Sequence, residues 1–124
     1  MTTSNLPDEA PLEVTAAVAE AETRGCACTL FAVVNPNGTL AKGFGAVSSK
    51  KLATGEYEVI FNRKVRNCAY VATIGLAGSV GASPSGEIAV VGRASNVNGV
   101  FVQTFTSAGV TADRGFHLAV HCRP

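Results

Sequence analysis

Charge is scarce in this 124-residue chain: Asp, Glu, Lys and Arg together make up 15% of it. An ordinary soluble domain carries about 25%. Part of the surface is therefore expected to be covered, by other copies or by a partner, although the 13 glycines and many alanines account for some of the deficit. Long apolar runs are also missing. None approaches the roughly 20 residues that a membrane-spanning helix needs, so no membrane partner is expected. The opening MTTSNLPDEA lacks the positive charge and apolar core of a secretory signal. The expectation is a soluble chain without a Sec address, extracellular or particle-associated only by another route.

Chemistry-bearing constellations are scarce too. Beyond residue 25 the carboxylates are Glu56, Glu58, Glu87 and Asp113. Glu56 and Glu58 flank Tyr57 and read as a solvated strand face rather than an acid–base pair. Asp113, His117 and the serines show no spacing of a nucleophile held by a base and an orienter. Gly43-Phe-Gly45 is too short for a phosphate-cradling loop and no strand–helix context follows it. Cys26-x-Cys28 is one residue too short for the usual zinc spacing, and no second pair matches it. No catalytic residue, metal site or cofactor is expected, and the chain reads as a non-enzyme.

What is present is a series of short strand-like runs. Residues 55–61 (GEYEVIF), 68–74 (CAYVATI), 88–91 (IAVV), 100–105 (VFVQTF) and 116–122 (FHLAVHC) alternate apolar with other residues. A period of two puts alternate side chains on opposite faces of a strand, giving each run one face to bury. Residues 27–34 and 39–47 add two more runs, parted by the turn Asn35-Pro-Asn-Gly38. About seven or eight strands at this spacing predict an all-β antiparallel sandwich or barrel. Lys50–Gly55, Asn62–Asn67, Gly75–Gly86 and Ser107–Gly115 read as loops.

The first 25 residues differ. Residues 1–10 read as an arm, and 12–23 place Val14, Ala17, Val18 and Ala21 on one helix face ahead of Gly25. The expected organisation is an N-terminal arm and short helix over 1–25, then a β-sandwich over 26–124. Charge divides along the same line. Residues 1–24 hold five acids against Arg24, whereas 25–124 hold four acids and nine bases. Two readings stay open: an acidic arm docking on a basic body, or two ordinary solvated surfaces. The bases cluster at Lys50 and Lys51 and at Arg63, Lys64 and Arg66, which are the candidate binding residues. An isoelectric point near 7.7 lies well below the value of about 9 typical of nucleic-acid binders, so none is expected as a partner.

Phase places Cys68 with Tyr70, Ala72 and Ile74, and Cys122 with Phe116, Leu118 and Val120, both toward the core. They form a disulfide if their strands are neighbours or face each other, and stay buried thiols otherwise. Cys68–Cys122 is the disulfide candidate. His117 and His121 fall on the opposite, outward face, about 13 Å apart along the strand, too far for one metal ion within one chain. One histidine from each of three chains around an axis would still make a ring.

The run Gly55-x-Tyr57-x-Val59-x-Phe61, then Asn67-Cys68-Ala69-Tyr70, then Phe116-His117-Leu118-x-Val120-x-Cys122, resembles a group of uncharacterised bacterial β domains. These are similar in pattern to phage tail-fibre tips and C1q-like jelly-roll heads. The resemblance spans roughly residues 30–122. In the C1q-like case it implies a ten-stranded jelly roll that assembles as a homotrimer and recognises a ligand through apical loops, and it offers no catalytic residues. The expected function is a non-enzymatic structural or binding head that homo-oligomerises, with a trimer favoured, and recognises a glycan or protein through its loops. The alternative is a shell, fibre or particle subunit whose main partners are copies of itself.

Overall fold

A computed structural model describes residues 28–124, and Thr29–Cys122 form one compact unit within it. The expected helix over 12–23 lies outside the described residues, as does Cys26. The described chain is all-β: β1 (Cys28–Val34), β2 (Leu40–Phe44), β3 (Ala46–Ala53), β4 (Glu56–Phe61), β5 (Ala69–Ile74), β6 (Glu87–Gly92), β7 (Gly99–Phe105) and β8 (Phe116–Cys122). They form two four-stranded antiparallel sheets, ordered β2-β1-β8-β5 (sheet I) and β3-β4-β7-β6 (sheet II). The strands nearest the two ends of the described chain, β1 and β8, therefore lie side by side in the middle of sheet I.

The period-two pattern sets which face of each strand is covered. In β8, Phe116, Leu118, Val120 and Cys122 are buried while the residues between them are not. Tyr57, Val59 and Phe61 of β4 and Val100, Val102 and Thr104 of β7 are buried in the same way. Leu30, Ala32 and Val34 of β1 join them. The central strands of both sheets thus supply the core, and the ring of Tyr57 meets that of Phe116 edge-on across it, with centroids 5.2 Å apart. At roughly 1.5–3 kcal/mol for each large apolar side chain, this shared layer dominates the stability of the sandwich.

One stretch departs from expectation. Residues 39–47 read as a single strand followed by a Lys50–Gly55 loop, but the chain breaks at Gly45 and residues 50–53 belong to β3. Gly45 has φ +78°, and a Cβ there would run into the Leu30 side chain. It acts as the corner at which the chain leaves sheet I for sheet II. Gly55 (φ +68°) plays the matching part in the β3–β4 turn, where a Cβ would sit 2.5 Å from the Thr104 carbonyl oxygen.

The connections gather at two ends. At one, the Tyr57 hydroxyl donates to the Pro36 carbonyl (2.6 Å), and Gly75 N–H donates to Gly115. That end therefore collects the turns at 35–39 and 54–55 and the loops 75–86 and 106–115. At the other, Asn62 N–H donates to Gly45 and Val65 N–H to Val97. The corner at Gly45 and the loops 62–68 and 93–98 meet there.

Candidate functional site

Alternation along sheet I leaves an outer face whose content can be read from the register. Phe31 pairs with Phe44 and Val33 with Lys42 between β1 and β2. Between β5 and β8, Thr73 pairs with His117, Val71 with Ala119 and Ala69 with His121. These residues share the side opposite the core, and of them Val33 is covered, next to the irregularity in β1 between Val33 and Val34. Phe44 is 63% exposed, Val71 61% and Phe31 41%. Among them lies a hollow of about 520 Å³, lined by Phe31, Lys42, Val71, Thr73, His117 and Ala119 among others. The small Ala119 side chain forms part of its lining and Phe44 stands proud beside it, so the face offers both a knob and a recess.

The face is cationic where it is charged. Lys42, His117 and His121 are its titratable groups, and among the described residues no carboxylate belongs to it. His117 Nε2 lies 2.9 Å from the Leu76 carbonyl oxygen, so that nitrogen carries the proton and donates. His121 Nδ1 lies 3.4 Å from Thr29 Oγ1. Both rings point outward, as their phase predicts, and each is oriented by a neighbouring strand or loop. Among the described residues no group of three or more His, Cys, Asp and Glu side chains is close enough to hold a metal ion. No helix among them is long and apolar enough to cross a membrane.

The five basic candidates do not converge. Lys50 and Lys51 are strand residues of β3, opposite Glu58 and Tyr57, a correction to their expected loop setting. Lys51 Nζ meets Asp113 Oδ2 at 2.7 Å. Arg63, Lys64 and Arg66 follow β4 at the other end of the sandwich, about 20 Å away by the length of that strand. Arg66 Nη2 donates to the carbonyls of Arg93 and Ala94, both at 3.1 Å. The basic set is thus two separate groups, one along the β3 edge and one in the loop after β4. Cys68 and Cys122 stand opposite each other on the paired β5 and β8 sides, with sulfurs 2.08 Å apart in a disulfide. Among the described residues Cys28 is a free thiol.

One cluster escaped the sequence reading. Asp113 accepts from Gly55 N–H through Oδ1 (2.8 Å) while Oδ2 takes Lys51. Those donors, the Lys51 ammonium first and the Gly55 amide next, hold its carboxyl below the usual 3.8. Burial, and then the Asp113 charge, push the Tyr57 hydroxyl above its ordinary value. Thr104, also fully buried, donates to the Ala112 carbonyl at 2.6 Å. Asp113 and Lys51 are 62 residues apart, so no local spacing signals their meeting. The cluster ties the β3–β4 turn of sheet II to the segment entering β8 of sheet I, and both carboxylate oxygens are occupied in doing so.

No protein-family model, curated protein or solved structure matches this chain.

Proposed function

We propose that this is a non-enzymatic structural and binding head, a jelly-roll-like sandwich whose copies pack through the outer face of sheet I. A trimer is the favoured assembly, and the loops at the ends of the sandwich take a glycan or protein ligand. The observation that carries the reading is that outer face. Phe31, Phe44, Val71 and Ala119 lie together on it, and exposed apolar patches rimmed by polar groups mark interaction sites. Copies of this chain suit it as occupants because it holds both a knob, Phe44, and a recess bordered by Ala119. Where the knob of each copy seats in the recess of the next without reciprocation the contact is heterologous, and such contacts close into rings when the rotation permits. The low overall charge agrees. The jelly-roll reading rests on two four-stranded antiparallel sheets with β1 beside β8. It also fits the resemblance to C1q-like and tail-fibre heads.

The alternative, a shell, fibre or particle subunit, has one observation in its favour. The outer face of sheet II carries Glu56, Glu58 and Glu87, with Lys50 and Arg93 beside Glu58, while the outer face of sheet I carries Lys42 and no described carboxylate. Seating one face on the other would propagate without closure. Light scattering on a size-exclusion column, with and without reductant, separates these readings. A discrete trimer in both conditions supports the head. A far larger particle supports the subunit reading, and a clean monomer overturns both.

A further inference from the structure

The end of the sandwich farthest from the Asp113 cluster holds a rigid basic loop. Residues 62–67 read Asn-Arg-Lys-Val-Arg-Asn, and Val65 is fully buried while Asn62, Lys64, Arg66 and Asn67 are exposed. The valine is a plug that fixes the loop. Its N–H donates to Val97 at 2.9 Å, and its carbonyl takes the Tyr70 hydroxyl at 2.6 Å. Directly after the loop, Cys68 is bonded to Cys122. Arg66 is oriented by the carbonyls of Arg93 and Ala94, and Arg63 Nε by the carbonyl of Lys64 at 3.0 Å. These bonds use one nitrogen of each guanidinium and leave the others without a hydrogen bond among the described residues. Among the described residues the ion pairs are Lys51–Asp113 and Arg93–Glu58, so no carboxylate there neutralises Arg63, Lys64 or Arg66.

Three cations on a pinned loop, flanked by the exposed amides of Asn62 and Asn67, form a surface ordered before any ligand arrives. We propose that it binds the sulfate or carboxylate groups of an acidic polysaccharide. This rests on the reading of the domain as a binding head and narrows its ligand. Guanidinium forks match planar and tetrahedral oxyanions, and pre-ordering removes part of the entropy cost of binding. The amides suit sugar hydroxyls. Single-stranded nucleic acid instead calls for aromatic platforms on which bases stack, and residues 62–67 contain none.

The test uses the full chain and a size-defined, sulfated heparin oligosaccharide in titration calorimetry. Its desulfated counterpart, inorganic sulfate and an oligonucleotide of equal charge serve as the other arms. Saturable binding of the sulfated oligosaccharide is expected, with a log–log salt slope of about 2 to 3, one for each cation engaged. R63E/K64E is expected to weaken it at least ten-fold, whereas K50E, mid-strand in β3 and outside the loop, leaves it unchanged. Arg66 is spared because it holds residues 93 and 94. Should R63E/K64E fail to melt like the parent, R63Q/K64Q replaces it. Absence of binding, equal loss in K50E, equal binding of the desulfated sugar, tighter binding of the oligonucleotide, or full displacement by equimolar sulfate each overturns the proposal. Native mass measured on the same samples keeps the assembly reading separate, since copies can assemble through sheet I whether or not this loop binds.

Discussion

The two outer faces of the sandwich are built on the same pleat, yet they manage exposed apolar groups differently. On sheet II, Val91 stands beside Phe101, and the Arg93 guanidinium lies 5.9 Å from the Phe101 ring centre. The same guanidinium holds Glu58 at 2.7 Å, with Lys50 opposite Glu58 in the next strand. Charged groups therefore shield the apolar groups of that face, as long side chains with polar heads do. On sheet I no described arginine or carboxylate serves Phe31, Phe44 or Val71 in this way. The lesson is that exposure of a valine or phenylalanine means little alone; what differs is whether the neighbours cover it.

That contrast can be broken with one matched pair of substitutions. Val71 and Val91 are 61% and 57% exposed, each on a strand at the edge of its sheet. V71E places a carboxylate within the apolar face of sheet I and is expected to weaken self-association on the order of 100-fold, the effect of spoiling a buried contact centre. V91E puts the same charge on the face already carrying Glu58 and Glu87, and leaves the mass unchanged. Sedimentation velocity across a dilution series reads both. Dissociation by V91E with an intact V71E assembly would move the contact to sheet II.

The sheets also differ in covalent support. The disulfide ties the β5 side to the β8 side of sheet I and closes a 54-residue separation. Loop-closure entropy for that span is worth about 4 kcal/mol in the denatured chain. The variant C68A/C122A is expected to lower the unfolding free energy by that order, read from urea denaturation. Amide exchange should rise more along β5 and β8 than along β4 and β7, and a uniform rise would mean that the sheets open as one unit.

Much of this architecture is legible in the sequence because period two is a local signal. Residues 116–122 read as a strand and form β8 with the same bounds. The inward phase of Phe116, Leu118, Val120 and Cys122, and the outward phase of the two histidines, follow from alternation alone. Gly45 was harder, because a corner between sheets is set by the close approach of Leu30, fifteen positions away, rather than by its neighbours. Lys50 and Lys51 looked like loop residues because lysine is uncommon in strands, yet β3 is a sheet edge, where exposed lysine is favoured. The sheet I face stayed hidden for a different reason: Phe31, Phe44, Val71 and Ala119 come from four strands and become one surface only through register.

The smallest expected effect concerns how the two sheets are joined rather than how they differ. Asp113 bridges the turn of sheet II at Gly55 and the segment entering β8 of sheet I, with Lys51 on its other oxygen. Its folded carboxyl titrates below 3.8, so the stability it contributes is fully present above that value. It is lost as pH falls from there through the lower folded value, because the unfolded chain takes up the proton first. The ion pair is about one-third exposed on both sides, so solvent screening keeps the neutral-pH cost of D113N to about 1 kcal/mol. Urea midpoints measured from about pH 6 down to about pH 2.5 should show the parent losing that margin below 3.8, while D113N starts lower and runs flatter. Parallel acid limbs in the two proteins would assign the acid response to another carboxylate. They would leave Tyr57 and Thr104 as the polar groups that join the sheets at that end.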